Sequence, residues 1–246
     1  MCAVFTGKNL IQLNQTDSTN IHLTQLAQDN NLPEGTVVNA AFQTHGKGQR
    51  NNSWEAEKGM NITFSVLYKP HFLPLSKHFL LSKAISLGVF DYLNCICAEV
   101  KVKWPNDIYV GNKKIAGILI ENSIKGNNIY QSVIGIGINI NQSNFSTLNA
   151  TSLLLENNQL YNIEEQIEIV FSCIEKRYLQ LKNNQYEQIN QEYLMRLYLY
   201  QTWHNFTLAN TNILTSKIIN AEENGNLVVE DKYGKIYKFA FKEIVF

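Results

Sequence analysis

The chain has 246 residues, 45% of them hydrophobic, and its 21 basic and 21 acidic side chains leave a formal net charge of zero. That length supports one sizeable core plus a small extra domain, and the neutral balance argues against a basic nucleic-acid-binding surface. The cysteines at 2, 95, 97 and 173 match neither a disulfide framework nor zinc-ligand spacing, so a reducing, cytoplasmic setting is expected. The start has no basic region leading into an apolar core, and no uncharged apolar run approaches the roughly 18 residues of a spanning helix, which predicts a soluble, unprocessed protein with no membrane partner.

Residues 9–15 read as a strand, and Asp17-Ser18-Thr19-Asn20 offers several helix caps ahead of Ile21, Leu26 and Ala27. A second strand is expected over 36–43, then a loop over 44–54 without hydrophobic periodicity, then a strand over 61–68. The stretch 75–93 is apolar nearly all round yet carries Lys77, Lys83 and Asp91, which predicts a buried helix. Short strands at 98–104, 107–110, 114–122 and 128–138 complete one mixed sheet, followed by amphipathic helices over 163–181 and 186–200. Past Trp203 the pattern turns to hairpins, with strands at 213–220, 226–231, 235–241 and 244–246, as in a small barrel.

The most informative segment is Lys101-Val102-Lys103-Trp104-Pro105-Asn106-Asp107, followed by Lys114-Ile115-Ala116-Gly117-Ile118-Leu119-Ile120-Glu121. The residue before a proline is driven out of the helical region, so Trp104 should end an extended segment and Asn106-Asp107 should be presented, unburied, in a turn. From Lys114 onward both faces are apolar, as in a central strand. Gly117 leaves a gap that fits either a bulge or the close approach of a flat ligand. Gly46-Lys47-Gly48-Gln49-Arg50 strings amides and cations together and can form an anion-binding nest, although it matches neither a Walker loop nor a dinucleotide fingerprint. In Val133-Ile134-Gly135-Ile136-Gly137-Ile138-Asn139 the glycines remove side chains from one face of a strand, which suits either a bend or a ligand floor. Ser18-Thr19-Asn20 can be a plain helix cap, and His45 has no second histidine at metal spacing.

These motifs, in the order Asp17-Ser18-Thr19-Asn20, Gln43-x-x-Gly46-Lys47-Gly48 with Trp54, Lys103-Trp104-Pro105-Asn106-Asp107, Lys114 to Glu121, and Gly135-x-Gly137-x-Asn139, resemble those of biotin protein ligases. The resemblance runs from about residue 10 to 155 and includes Ala150-Thr151-Ser152-Leu153. It implies an α+β fold: a mixed sheet with flanking helices, related to class II aminoacyl-tRNA synthetases, over 1–202, and an SH3-like barrel over 203–246. It also implies activation of biotin with ATP to biotinyl-5′-AMP, then transfer to one lysine of a biotin carboxyl carrier protein domain of acetyl-CoA carboxylase or a related carboxylase.

Carried over by motif, Ser18, Thr19, Asn20 and Gln43 would hydrogen-bond the ureido ring, and Gly117, Leu119, Gly135 and Gly137 would shape its slot. Gly46, Lys47, Gly48 and Gln49 would form the loop over biotin, closed by Trp54. Lys47 and Lys114 would hold the biotin carboxylate and the α-phosphate, with Gln49, Arg50, Lys103, Asn106, Asp107 and Asn139 serving the nucleotide. Mg2+ would be held chiefly by the phosphates, with Asn139 as the candidate protein ligand. Asp107 is the candidate for orienting or deprotonating the acceptor lysine, whose ordinary pKa is about 10.4.

Family members commonly carry a second loop arginine where this chain has Gln49, so grip on the adenylate phosphate would depend on Arg50. The motif pattern begins almost at once, without the helix-turn-helix segment of the ligases that double as repressors, so no DNA partner is expected, while a homodimer remains compatible. The competing readings are a lipoate-type ligase or acyltransferase, the latter requiring a cysteine nucleophile, and a non-catalytic biotin sensor. Cys173 falls within an amphipathic helix and is expected to pack in the core.

Overall fold

A computed structural model describes residues 3–49 and 52–246. The larger sheet has seven strands: β1 (Leu10–Leu13), β2 (Val37–Ala40), β3 (Asn61–Tyr68), β4 (Val100–Lys103), β5 (Asp107–Val110), β6 (Lys113–Lys125) and β7 (Asn128–Asn139). Their spatial order is β1-β2-β3-β7-β6-β5-β4, with β1 and β2 parallel and every other pair antiparallel, so the sheet is mixed as expected. Among the described residues five α-helices accompany it: α1 (Thr19–Asp29), α2 (Phe79–Asn94), α3 (Leu153–Asn157), α4 (Ile163–Lys182) and α5 (Tyr186–Arg196).

Side chains alternate across a strand, and here the alternation divides two chemistries. Ile62, Phe64 and Val66 of β3, Ile134, Ile136 and Ile138 of β7, and Ala116 and Ile118 of β6 belong to the main core with α2 and α4. Their odd-numbered neighbours, from Gly117 onward in β6, face the other way; Ile115, beside the irregular β5–β6 register, stays in the main core. There, Leu67 and Val133 join Val38 and Leu23 of α1 in a small second cluster. Ser65, Gly135 and Leu119 form one cross-strand row beside it, and Thr63, Gly137 and Gly117 form the next. One face therefore stabilises the fold and the other is left for chemistry.

The expected stripe of α4, Ile167, Val170, Phe171, Ile174, Tyr178 and Leu181, is buried throughout. Helices α2 and α4 approach closely because of Gly88, where a Cβ would stand 2.7 Å from the Ile174 Cα. The helix expected over 186–200 stops at Arg196. Leu197 turns extended, and the Tyr198 amide donates to the Val102 carbonyl at 2.8 Å, so tertiary pairing with β4 overrides local propensity.

A second, five-stranded antiparallel sheet follows: β8 (His204–Leu208), β9 (Ile213–Ala221), β10 (Leu227–Asp231), β11 (Ile236–Phe239) and β12 (Ile244–Val245), in the order β11-β10-β9-β8-β12. Strand β8 was not anticipated; only Phe206 of its residues is buried, so it lacks the alternation that marks a strand. Its sheet shares the main core through Phe206, Ile218, Leu227 and Val229.

Candidate active site

A cavity of about 310 Å³ lies over the odd-numbered face. Its walls are the start of α1, loop residues 47–49 and 52–54, the turn between β4 and β5, and Phe241, Lys242 and Ile244 to Phe246. The Ser18-Thr19-Asn20, Gln43, Lys47, Gly48, Gln49, Trp54, Lys103, Asn106, Asp107, Lys114, Gly117, Leu119, Gly135 and Gly137 positions anticipated from sequence all line it. Gly46 sits behind the loop, where a Cβ would meet the Trp54 carbonyl at 2.6 Å. Asn139 is buried outside the lining: its Nδ2 donates to the Thr151 carbonyl at 2.9 Å, while its Oδ1 has no hydrogen-bond partner. Arg50 lies outside the described residues.

One end of the cavity is a buried polar wall. Ser18, Thr19 and Asn20 are at most 3% exposed, unlike a surface cap, and Ser18 makes no side-chain cap bond. Gln43 replaces it: its Oε1 accepts from the Thr19 amide at 2.8 Å and from the Thr19 hydroxyl at 3.1 Å. Ser65 Oγ lies 2.7 Å from Thr19 Oγ1 and 2.5 Å from Asn20 Oδ1, and Asn20 Nδ2 donates to Glu121 at 2.8 Å. Ser65 and Glu121 were not identified from sequence as part of the site; the alternation in β3 and β6 is the signal that could have found them.

The glycines do something different from a bare floor. A Cβ on Gly135 would collide with the Asn20 carboxamide, and one on Gly137 with the Trp54 indole. At Gly117 it would stand 3.1 Å from Lys114 Nζ and 3.2 Å from Trp54 Cζ3. The missing side chains thus admit the site's own polar and aromatic groups close to the sheet. Trp54 Nε1 is buried without a hydrogen-bond partner, leaving a donor beside Gly137.

The other end is charged. Lys114 Nζ pairs with Asp107 Oδ1 at 2.8 Å, and each side chain keeps about a third of its exposure. Lys103 packs its ammonium over the Tyr109 and Phe246 rings at 4.7 and 5.1 Å; burial lowers its pKa, with Asp107 opposing and Lys114 adding to the effect. Asn106 corrects the expectation of a presented turn: it is 4% exposed, its Nδ2 donating to the Ile118 carbonyl at 3.1 Å and its Oδ1 accepting from Gln49 Nε2 at 2.5 Å.

The described residues of the loop, 44–49 and 52–54, form no backbone nest. Gly46 and Gly48 have no positive φ, and the Gly48 amide is spent on the Asn52 carbonyl at 2.6 Å. In the described part of this loop Lys47 presents an exposed ammonium side chain. No cluster of three or more metal-ligating His, Cys, Asp or Glu side chains exists among the described residues. No described cysteine lines the cavity, and burial pushes the Cys173 and Cys97 thiols up to about 11, away from nucleophilic thiolate.

A mixed sheet whose open face carries this cavity defines the class: residues 13–139 match the model of the Biotin/lipoate A/B protein ligase family, and the chain belongs to that family. Among its relatives is the bifunctional ligase/repressor BirA of Bacillus spizizenii, 33% identical over 178 residues, which are 70% of this chain and 54% of that protein. The biotin--[acetyl-CoA-carboxylase] ligase of Paracoccus denitrificans is 34% identical over 52% of this chain and 53% of its own length. The chain therefore spans about half the length of these curated relatives. The biotin protein ligase of Aquifex aeolicus, solved in complex with biotin and ATP, superposes with a TM-score of 0.79 at 26% identity, covering 97% of this chain and 98% of that one.

Proposed function

We propose that the protein is a biotin protein ligase that joins biotin to ATP as biotinyl-5′-AMP and passes the biotinyl group to a lysine of a biotin carboxyl carrier protein domain. One observation carries the reading: a single cavity has a buried hydrogen-bonding wall, Ser18-Thr19-Asn20-Gln43, at one end and the Lys114–Asp107 pair at the other. The Aquifex structure, with biotin and ATP bound, supports it.

In the first step a biotin carboxylate oxygen attacks the α-phosphorus and pyrophosphate leaves. Both reactants are anions, so the work left to the protein is to hold them together and offset charge at the reacting centre. Lys47 and Lys114 are the cations available for this, and Lys114 would exchange Asp107 for the incoming anions. In the second step the acceptor amine attacks the acyl carbon and AMP departs, which requires the amine to lose a proton. Asp107, relieved of Lys114, is the carboxylate placed to take it. Mg2+ would enter with the ATP phosphates, because the described side chains offer no cage for it.

On this reading residues 1–202 form the catalytic domain and 203–246 an SH3-like barrel that closes the cavity with its last residues. The acceptor is a protein and not DNA, in keeping with zero net charge. The reaction takes place in the cytoplasm; no described helix is long and apolar enough to cross a membrane. Incubation with biotin, ATP and a carrier domain should add one biotinyl group to one acceptor lysine, read by mass spectrometry. An unlabelled acceptor under those conditions would contradict the proposal.

A further inference from the structure

The turn Trp104-Pro105-Asn106, which ends at Asp107, is held from behind by groups that touch no part of the cavity. Tyr193 of α5 is fully buried, and its hydroxyl donates to the Pro105 carbonyl at 2.7 Å. Trp104 Nε1 donates to the Gly225 carbonyl in the β9–β10 turn at 3.1 Å. The Tyr193 ring is itself fixed on two sides. Phe79 meets it edge-on at 5.9 Å, and the Lys83 ammonium stands 5.5 Å from its centre. Lys83, only 1% exposed, donates to Asn190 on α5 at 2.8 Å and to the Ala221 carbonyl at 2.5 Å, the base of the turn whose tip receives Trp104.

The Pro105 carbonyl belongs to the peptide unit that carries the Asn106 amide, so fixing that oxygen fixes the plane from which Asn106 and Asp107 depart. The Pro105 carbonyl is part-buried against the buried Tyr193 ring, so losing this donor leaves it partly desolvated without a partner and favours a reorientation of the peptide toward solvent. We infer that Tyr193 is a positioning residue for the Asn106–Asp107 pair, acting through the Pro105 carbonyl, with Lys83 fixing its ring. The inference rests on the adenylation reading above, which assigns those two side chains to the nucleotide and to the acceptor amine. It adds that their geometry is set by α5 and by the second sheet.

The test is Tyr193→Phe, which removes one oxygen, against Tyr178→Phe, which removes a hydroxyl of an equally buried tyrosine that is bonded to Glu34 and not to the turn. In Tyr193→Phe the ATP-dependent adenylation rate should fall about tenfold with the KM for biotin within about twofold. Amide exchange at Asn106 and Asp107 should quicken by about tenfold in the ligand-free variant. Tyr178→Phe should lower the melting temperature yet change neither readout. Rates lost by both variants in proportion to their stability, or unchanged exchange at Asn106 and Asp107 in Tyr193→Phe, would overturn the inference. Were the wild type itself inactive toward biotin, the functional reading would fall while the exchange comparison still decided whether Tyr193 positions the turn.

Discussion

Lys114 stands where a charge can move from a protein carboxylate to a substrate anion. Its partner is Asp107 at 2.8 Å, and with a third of its side chain exposed it supports little core packing. Lys114→Ala should leave the melting temperature nearly unchanged. A charge-assisted hydrogen bond contributes about 1.5–3 kcal/mol, so biotin-dependent adenylation should slow by about ten- to a hundredfold. A rate within about threefold of wild type would remove Lys114 from the assigned role. Gln49 shows what the sequence could and could not tell. Its lack of charge was legible; its partner was not, because the Asn106 carboxamide comes from a turn far away in the chain. Gln49→Ala gives up that bond, worth about 1 kcal/mol, and should speed release of the adenylate about fivefold. Gln49→Arg retains a donor and adds charge, so release should slow. Stopped-flow measurement of adenylate dissociation separates the two.

At the scale of elements, periodicity located β3, β5, β7 and α4 almost to the residue, because each has one face in the core and the apolar pattern reports it. It could not locate β8, with one buried residue, or the short α3, and it extended α5 past Leu197 because pairing with Val102 is a property of the assembled fold. In the sequence the glycine pattern marks a gap but does not tell what fills it. Asn20 and Trp54 are distant in sequence from Gly135 and Gly137, and only the fold brings them there. Gly88 is a separate case, since it governs how closely α2 and α4 pack. A methyl group there meets Ile174 backbone, which cannot swing aside, so Gly88→Ala should destabilise the protein by about 1–3 kcal/mol despite alanine's better helix propensity. Chemical denaturation would show it as a lower midpoint with an unchanged slope.

For the molecule as a whole, the beginning of the described chain is tied to α4 by one carboxylate. Glu175 is 3% exposed and accepts from the amides of Val4, Phe5 and Thr6 at 2.5, 3.0 and 2.7 Å. Burial raises its pKa, but the amides of Thr6, Val4 and Phe5 outweigh burial and leave it below the usual carboxylate value of 4.5. A carboxylate depressed on folding contributes stability above its unfolded pKa, and that contribution is lost as pH falls through the folded value. Glu175→Gln should therefore cost about 2 kcal/mol near pH 7. Its stability should also fall less steeply than that of the wild type as the solution is acidified below pH 4.5. Melting curves from pH 7 to pH 3 would test both. The second sheet was legible as hairpins, but its part in the cavity was not, since Phe241, Lys242 and Phe246 carry no motif; Phe241 packs on Trp104 and Phe246 under the Lys103 ammonium through the assembled fold.

The central claim, that this cavity activates biotin, is tested most directly by exchange of labelled pyrophosphate into ATP, because the first half-reaction needs no acceptor protein. Exchange that depends on biotin, is absent with lipoate in its place and is lost in Lys114→Ala is the predicted result. Exchange supported equally by lipoate, or none with biotin from a folded protein, would contradict it.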